Sequence, residues 1–278
     1  MLNYQNDQAA GLRRLMGSAK PRVVSIVSAS PAQDQPRMLT NLAASLLTQD
    51  ADVLLVHASE HSSQSRYGVD KLPALLDISC GKLSLQNAVI KANHGHAIAK
   101  LMPLVAQNIM MDSDIKQQLN DTFNELASQY EVVLVDASLN ADYLLPIAAL
   151  NEGEILIQLT RHPESIKNAY TLMKKICMRL GRRPFGIIVA DANDAQALTT
   201  FNNISQVANR FMQIELEFFG AIPPDEHLRR AAKLGRSVID AFPMATASAA
   251  FKQIGQRLGY KNDYSQDYQT NTTHASFN

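Results

Sequence analysis

The stretch from Ser28 to Pro36, SASPAQDQP, is where this chain could meet a phosphate. It follows a β-branched apolar run, Val23-Val24-Ser25-Ile26-Val27. It precedes Met38, Leu42 and Leu46 at helical spacing, with Leu39, Ala43 and Leu47 beside them. Strand, polar loop and helix at the start of an α/β chain are the setting of a phosphate-binding loop. That chemistry needs glycines, so that backbone N–H groups can close round the anion. It also needs a Lys for the β- and γ-phosphate charge and a Ser or Thr hydroxyl for Mg²⁺. The loop has no Gly and no Lys, and Gln35 and Pro36 stand where Lys-Thr would fall. Pro36 offers neither an N–H nor a hydroxyl, and Asp34 adds negative charge where a triphosphate would lie.

The elements that must position this loop read as an alternation of strands and helices. Asp52-Val53-Leu54-Leu55-Val56, Val132-Val133-Leu134-Val135-Asp136, Glu154 to Leu159 and Phe185 to Val189 are short apolar runs, as parallel central strands are. Between them, Ser113 to Gln129, Pro163 to Leu180, Ala197 to Phe211 and Ala247 to Leu258 carry helical periodicity. Pro163 opens its helix and Gly181 stops it. Leu72 to Ile90 reads as two helices broken at Gly81, the second capped by Ser84. The fold class is therefore α/β, a three-layer, mostly parallel twisted sheet with helices on both faces.

Composition narrows the function classes. With 26 basic and 26 acidic residues the net charge is zero, so the molecule as a whole exerts no pull on nucleic acid or acidic lipid. The local run Arg179, Arg182, Arg183 reads as a solvated helix C-terminus. Cys80 and Cys177 are far apart and read as buried free thiols of a reducing compartment. His57 with His61, and His94 with His96, have no acidic or cysteine partners at ligand spacing, so no metal site is expected. No apolar run reaches membrane-span length and the first residues carry no signal-type core, which implies a cytoplasmic protein.

The chain resembles the MinD/ParA (SIMIBI-class) P-loop ATPases, and within them the flagellar number regulators of the FlhG/FleN type. The family pattern SGKGGVGKTxxxxNLA lies on Ser28 to Ala43 without a gap, with matches at Ser28, Asn41, Leu42 and Ala43. Phe218-Phe219-Gly220-Ala221-Ile222-Pro223-Pro224-Asp225 is similar to the family's strand and turn FLGAIPYD, and Pro163, Ile166, Ala169 and Tyr170 match its TPEPTAITDAYALIK segment. The resemblance implies a MinD-type fold from Asp7 to about Leu258. The departures fall on the chemistry. The family's dimer-spanning lysine is Ser30, its D-A-D carboxylates are His57, Ala58 and Ser59, and its base-reading Asn is Ala190. Asp136 matches the Asp that orders water round Mg²⁺, yet Ser138 replaces the Gly after it. A lone carboxylate at a strand end is also a common anchor for a loop.

Asn6 to Met16 is a short amphipathic segment that Asp7 can cap, with Ala9, Leu12, Leu15 and Met16 on one face. Taken alone it reads as a helix packed on its own domain. The resemblance gives it a second meaning. DQAxGLRxL, through Asp7, Gln8, Ala9, Leu12 and Arg13, matches the activator segment that docks on FlhF, a signal-recognition-particle-type GTPase. Residues 1–20 are thus expected to be a docking segment and linker, 21–259 a MinD-like domain, and 260–278 a disordered polar tail without a membrane-anchoring face. The expected function is that of a pseudo-ATPase without ATP, metal or catalysis, a regulator of flagellar number or placement. Its expected partner is an FlhF-type GTPase, with flagellar switch or transcription-regulator proteins as other candidates. It should be a monomer, or a dimer indifferent to nucleotide. The alternatives are a working ATPase with an atypical loop that holds ATP and Mg²⁺, and a DNA-associated partition component.

Overall fold

The apolar run after Pro21 forms β1, Arg22–Ser28, with Val24, Ile26 and Val27 out of water. The computed structural model describes residues 20–30, 35–59, 72–81, 84–92, 95–102 and 112–260, with the backbone alone at 35–37 and 260. The expected docking residues Asp7, Gln8, Ala9, Leu12 and Arg13, the loop residue Asp34, His61, His94 and the tail beyond Tyr260 lie outside these residues.

After β1 come α1 (Gln35–Leu47), β2 (Val53–Ala58), α2 (Leu75–Ser79), β3 (Val89–Lys91), β4 (Ala97–Lys100) and α3 (Ser113–Ala127). They are followed by β5 (Val132–Ala137), α4 (Ala148–Glu152), β6 (Glu154–Thr160), α5 (Pro163–Leu180) and β7 (Phe185–Ala190). The chain closes with α6 (Asp194–Met212), β8 (Leu216–Ile222), α7 (Glu226–Lys233), α8 (Val238–Ala241) and α9 (Thr246–Tyr260). The strands form one eight-stranded sheet in the order β3-β4-β2-β5-β1-β6-β7-β8. Among the described strands only β3 is antiparallel, paired with β4.

Two apolar layers sandwich the sheet, because the helices present one buried stripe each. On one face α2 to α6 contribute Leu75, Phe123, Leu150, Met173 and Ile204. On the other, α1 and α7 to α9 contribute Leu39, Leu42, Ala231, Val238 and Phe251. The three-layer α/β expectation is met.

Several local expectations are corrected. Gln35 and Pro36, read as loop, open α1 instead. A proline fits a first helical turn because its missing N–H would have no intrahelical partner there. The second helix expected before Ile90 is a single 3₁₀ turn, Leu85–Ala88, and the Ser84 side chain makes no capping bond. Val89 and Ile90 then pair with Ala99 and Ile98, which suits their β-branched side chains. Cys80 is exposed and Cys177 half-buried, so neither is the fully buried thiol expected. Burial raises the Cys177 thiol above its ordinary value, against the nearby Arg183.

Charge is placed sparingly under the sheet. Arg22 is buried and binds Glu154 with both ends of its fork, Nε to Oε1 at 2.7 Å and Nη2 to Oε2 at 2.9 Å, tying β1 to β6. Arg183 is not a solvated helix-end cation. Its two terminal nitrogens donate to the carbonyls of Asn151 and Gly153, where α4 turns into β6.

α1 and α9 pack tightly against each other. Ser45 is fully buried and its hydroxyl donates to the Phe251 carbonyl at 2.9 Å. A Cβ built on Gly255 would lie 2.2 Å from Ser45 Oγ and 2.9 Å from its Cβ. Gly255→Ala should therefore force the helices apart and destabilise the domain by about 1–3 kcal/mol, read as a lowered midpoint in thermal or urea unfolding. An unchanged midpoint would mean that the helices have room to give.

Candidate functional site

In an open parallel sheet, ligands gather outside the carboxyl ends of the strands where strand order reverses. Here that point is β1, since β5 lies on one side of it and β6 on the other. The strands deliver Ser28 from β1, His57 from β2, Asp136 from β5 and Gln158 with Thr160 from β6 to this edge.

The register pairs His57 directly with Asp136, and Ser59 lies one pleat beyond on the same side. Asp136 is wholly buried, and His57 and Ser59 almost so. Ser59 Oγ donates to Asp136 Oδ2 at 2.8 Å, and His57 Nδ1 lies 3.4 Å from the same oxygen. Asp136 Oδ1 and His57 Nε2 are buried without a hydrogen-bond partner. Ser59 reaches the carboxylate and not the imidazole, so the cluster is not the hydroxyl–imidazole–carboxylate relay of a nucleophilic site. The carboxylate has a hydroxyl and an imidazole beside it. Among the described residues no three His, Cys, Asp or Glu side chains converge as a metal site would require.

Ser30, two residues beyond the end of β1, is turned inward. Ser30 Oγ lies 2.8 Å from Ser165 Oγ, which in turn accepts from Thr160 N at 2.9 Å. Ser28 Oγ accepts from Ser30 N at 3.2 Å and donates to its carbonyl at 3.1 Å. The backbone N–H of Ala29 goes to the Gln158 carbonyl at 2.8 Å. Ser30 is thus bound to the first turn of α5 of its own chain. Gln35 and Pro36 are in the first turn of α1.

Beside this cluster, between the ends of β6, β7 and β8, lies a cleft of about 460 Å³. Met38, Ile222, Leu228 and Phe251 give it apolar walls, and Gln158, Asp191, Glu226 and Arg229 give it polar edges. Ala190 is part of its wall. Asn41, also at the cleft, accepts from Val238 N at 2.7 Å and so supplies the first turn of α8 with an acceptor. Asp225 caps α7. Its Oδ1 accepts from His227 N at 2.9 Å and meets His227 Nδ1 at 2.8 Å, while Oδ2 accepts from Ala247 N at 3.0 Å. Burial alone would raise this carboxyl, but the backbone N–H groups of Ala247 and His227 and the His227 ring outweigh it and hold it below its ordinary range.

Comparison with known proteins follows this geometry. Solved structures with the same architecture include the MinD cell division protein of Aquifex aeolicus, with TM-score 0.66, 19% identity and coverage of 86% of this chain and 97% of that one. The fold is that of the MinD/ParA ATPases. A ParA family ATPase from Chlorobium tepidum agrees with TM-score 0.60 at 21% identity, covering 87% of this chain and 100% of its own. In sequence, the antiactivator FleN of Pseudomonas aeruginosa is 24% identical over 247 residues, 87% of this chain and 88% of FleN. No family model matches. The resemblance to the MinD/ParA ATPases and FleN read from Ser28, Asn41, Leu42 and Ala43 is borne out.

Of the residues singled out in the sequence, Ser30 and Asp136 stand at this edge, with Gln35 and Pro36 in the adjoining helix turn. The pairing of His57 and Ser59 with Asp136 was not anticipated. Its signal was two polar residues of equal parity at the end of an apolar strand, next to another strand ending in a carboxylate.

Two outcomes follow from these contacts. Asn41→Ala should leave the Val238 N–H without its acceptor and cost about 1–2 kcal/mol of stability in chemical unfolding, as for loss of a helix cap. Asp225→Ala should be destabilising at neutral pH by about 1–2 kcal/mol. A carboxyl held low in the folded state stabilises above its unfolded value and loses that contribution as pH falls. The gap between wild type and Asp225→Ala should therefore narrow below about pH 4, measured by urea unfolding across pH.

Proposed function

We propose that this chain is a FleN-like regulator that acts by binding other proteins rather than by hydrolysing ATP. The relationship to FleN and the MinD/ParA fold support the coarser part, a regulator of flagellar number or placement. The finer part rests on one observation above all. The Asp136 carboxylate, which in a Mg·ATP site would serve the metal's water, is buried against His57 and Ser59.

Magnesium triphosphate does not fit these residues. Ser30 is bound to Ser165 and is too short to reach across a dimer. Pro36 has no N–H for the anion. The loop sequence supplies neither glycine nor lysine. Each charge-assisted contact to phosphate is worth roughly 1.5–3 kcal/mol, so losing several removes useful affinity. Nothing in the arrangement then links nucleotide to dimerisation, and association with copies of itself would be indifferent to ATP.

In this reading partner binding rests with the N-terminal segment, where Asp7, Gln8, Ala9, Leu12 and Arg13 match the docking segment of the FlhG type. The partner is a GTPase of the FlhF type, engaged as activator or as competitor of a catalytic relative. The reading requires no heat on titration with Mg·ATP and the same sedimentation with and without it. It also requires a change in the GTPase rate that disappears on removing residues 1–20. Saturable ATP binding or turnover would refute the nucleotide-independent part. An unchanged GTPase rate with no co-sedimentation would refute the partner.

A further inference from the structure

We infer that the C-terminal halves of α5 and α6 form a docking surface for an acidic protein segment that carries aliphatic or aromatic anchors. The inference does not rest on the N-terminal docking reading.

α5 and α6 pack on one face of the sheet and against each other. They lead into β7 and β8, which pair in parallel from Phe185 and Leu216, so the two helices end side by side at the amino edge of the sheet. Seven large apolar side chains stand exposed among the described residues, and four of them, Tyr143, Met178, Val207 and Phe211, belong to this region. Met178 is 76% exposed and Phe211 65%. Exposed apolar residues are ordinary when scattered singly, but a gathering at one edge marks an interaction surface. Val207 and Phe211 are one turn apart and share a face of α6. Tyr143 is brought here from the loop after β5. Arg179 Nε donates to the Asp142 carbonyl at 2.8 Å, and Lys175 Nζ lies 4.2 Å from the centre of the Tyr143 ring. Tyr143 adopts φ +62°, a costly conformation for a side chain of its size, and these contacts hold it there.

The charges of this surface have one sign. From Ser165 to Arg183 the chain carries six basic residues and no acidic one. α6 has its single acid, Asp194, in the first turn and Arg210 in the last. Lys174 and Met178 are one turn apart on α5, Arg182 follows just past its end, and all three are exposed. Arg210 lies 5.3 Å from the centre of the Phe211 ring. Attraction to the helix dipole accounts for a cation in the last turn, such as Arg179, but fades beyond it and favours no methionine among the cations. Against these charges stand Asp142, engaged by Arg179 at 3.4 Å, and Glu215 after α6. In a molecule of zero net charge such a local excess selects an anionic partner. Asp or Glu of that partner meets Lys174, Arg182 and Arg210, while Leu, Ile or Phe covers Met178, Val207 and Phe211. A phosphate backbone would satisfy the cations and leave the methionine and valine uncovered. A bilayer would need a wider apolar face than these side chains provide.

Selection of a random linear-peptide library on the full chain supplies the probe. Enriched peptides are expected to be acidic, to carry Leu, Ile or Phe, and to bind less tightly as salt is raised. The pairs Lys174→Glu/Arg182→Glu and Met178→Ser/Phe211→Ser change only exposed side chains and should leave the melting midpoint unchanged. Each pair should weaken the enriched peptides by about tenfold in fluorescence anisotropy. If a pair lowers the midpoint, the single exchanges Arg182→Glu and Met178→Ser repeat the comparison. No enrichment, enrichment of neutral or basic peptides, affinity unmoved by the exchanges, or tighter binding of duplex DNA or phosphatidylglycerol vesicles would overturn the proposal. Nucleotide titrations and GTPase rates report on the regulator reading alone, so the two fail separately.

Discussion

Between β5 and β6, β1 has both its faces covered by apolar layers, and Val24, Ile26 and Val27 see no water. In a strand so placed polar groups are costly unless they are paired or stand where the strand ends, and Ser25, buried in mid-strand with its hydroxyl unpartnered, is the exception. Arg22 meets the first condition through its bidentate bond to Glu154. The carboxyl ends meet the second, and it is there that Ser28, His57, Asp136 and Gln158 collect. The location of the candidate site is thus a consequence of burial, before any question of what the site does.

A triphosphate site gathers N–H dipoles and a lysine. Among the described residues this edge gathers hydroxyls, an imidazole, an amide and carboxylates. A wholly buried carboxylate such as Asp136 carries a large desolvation cost unless its neighbours stabilise it. Ser59 and His57 supply that stabilisation within the chain. The same economy appears at Asn41, which matches the family pattern yet holds the first turn of α8, and at Ser30, which binds α5.

Most of the architecture was legible because period and punctuation agreed. Pro163 and Gly181 bound α5 as read, and Gly181 adopts φ +78°, a conformation that favours glycine. Val132 to Asp136 and Glu154 to Leu159 could only be buried strands. The failures were local. Leu72 to Ile90 lost its second helix because Val89 and Ile90 pair with β4, a contact invisible to a window of neighbouring residues. Arg183 looked like a surface charge because its partners, the carbonyls of Asn151 and Gly153, belong to the backbone and leave no mark in sequence. His57 was considered beside His61, whereas its neighbour in the sheet is Asp136. Sequence proximity misled where strand register decides.

The reversed, three-residue β3 has a consequence for how the sheet meets the outside. An open parallel sheet ends in a ladder of unpaired amides, a template on which a stray strand can add. Here that ladder is cut short at one border, and Lys91 stands exposed at its end. A charge on so brief a margin discourages another extended chain from adding there, so short length and lysine together protect that side of the sheet.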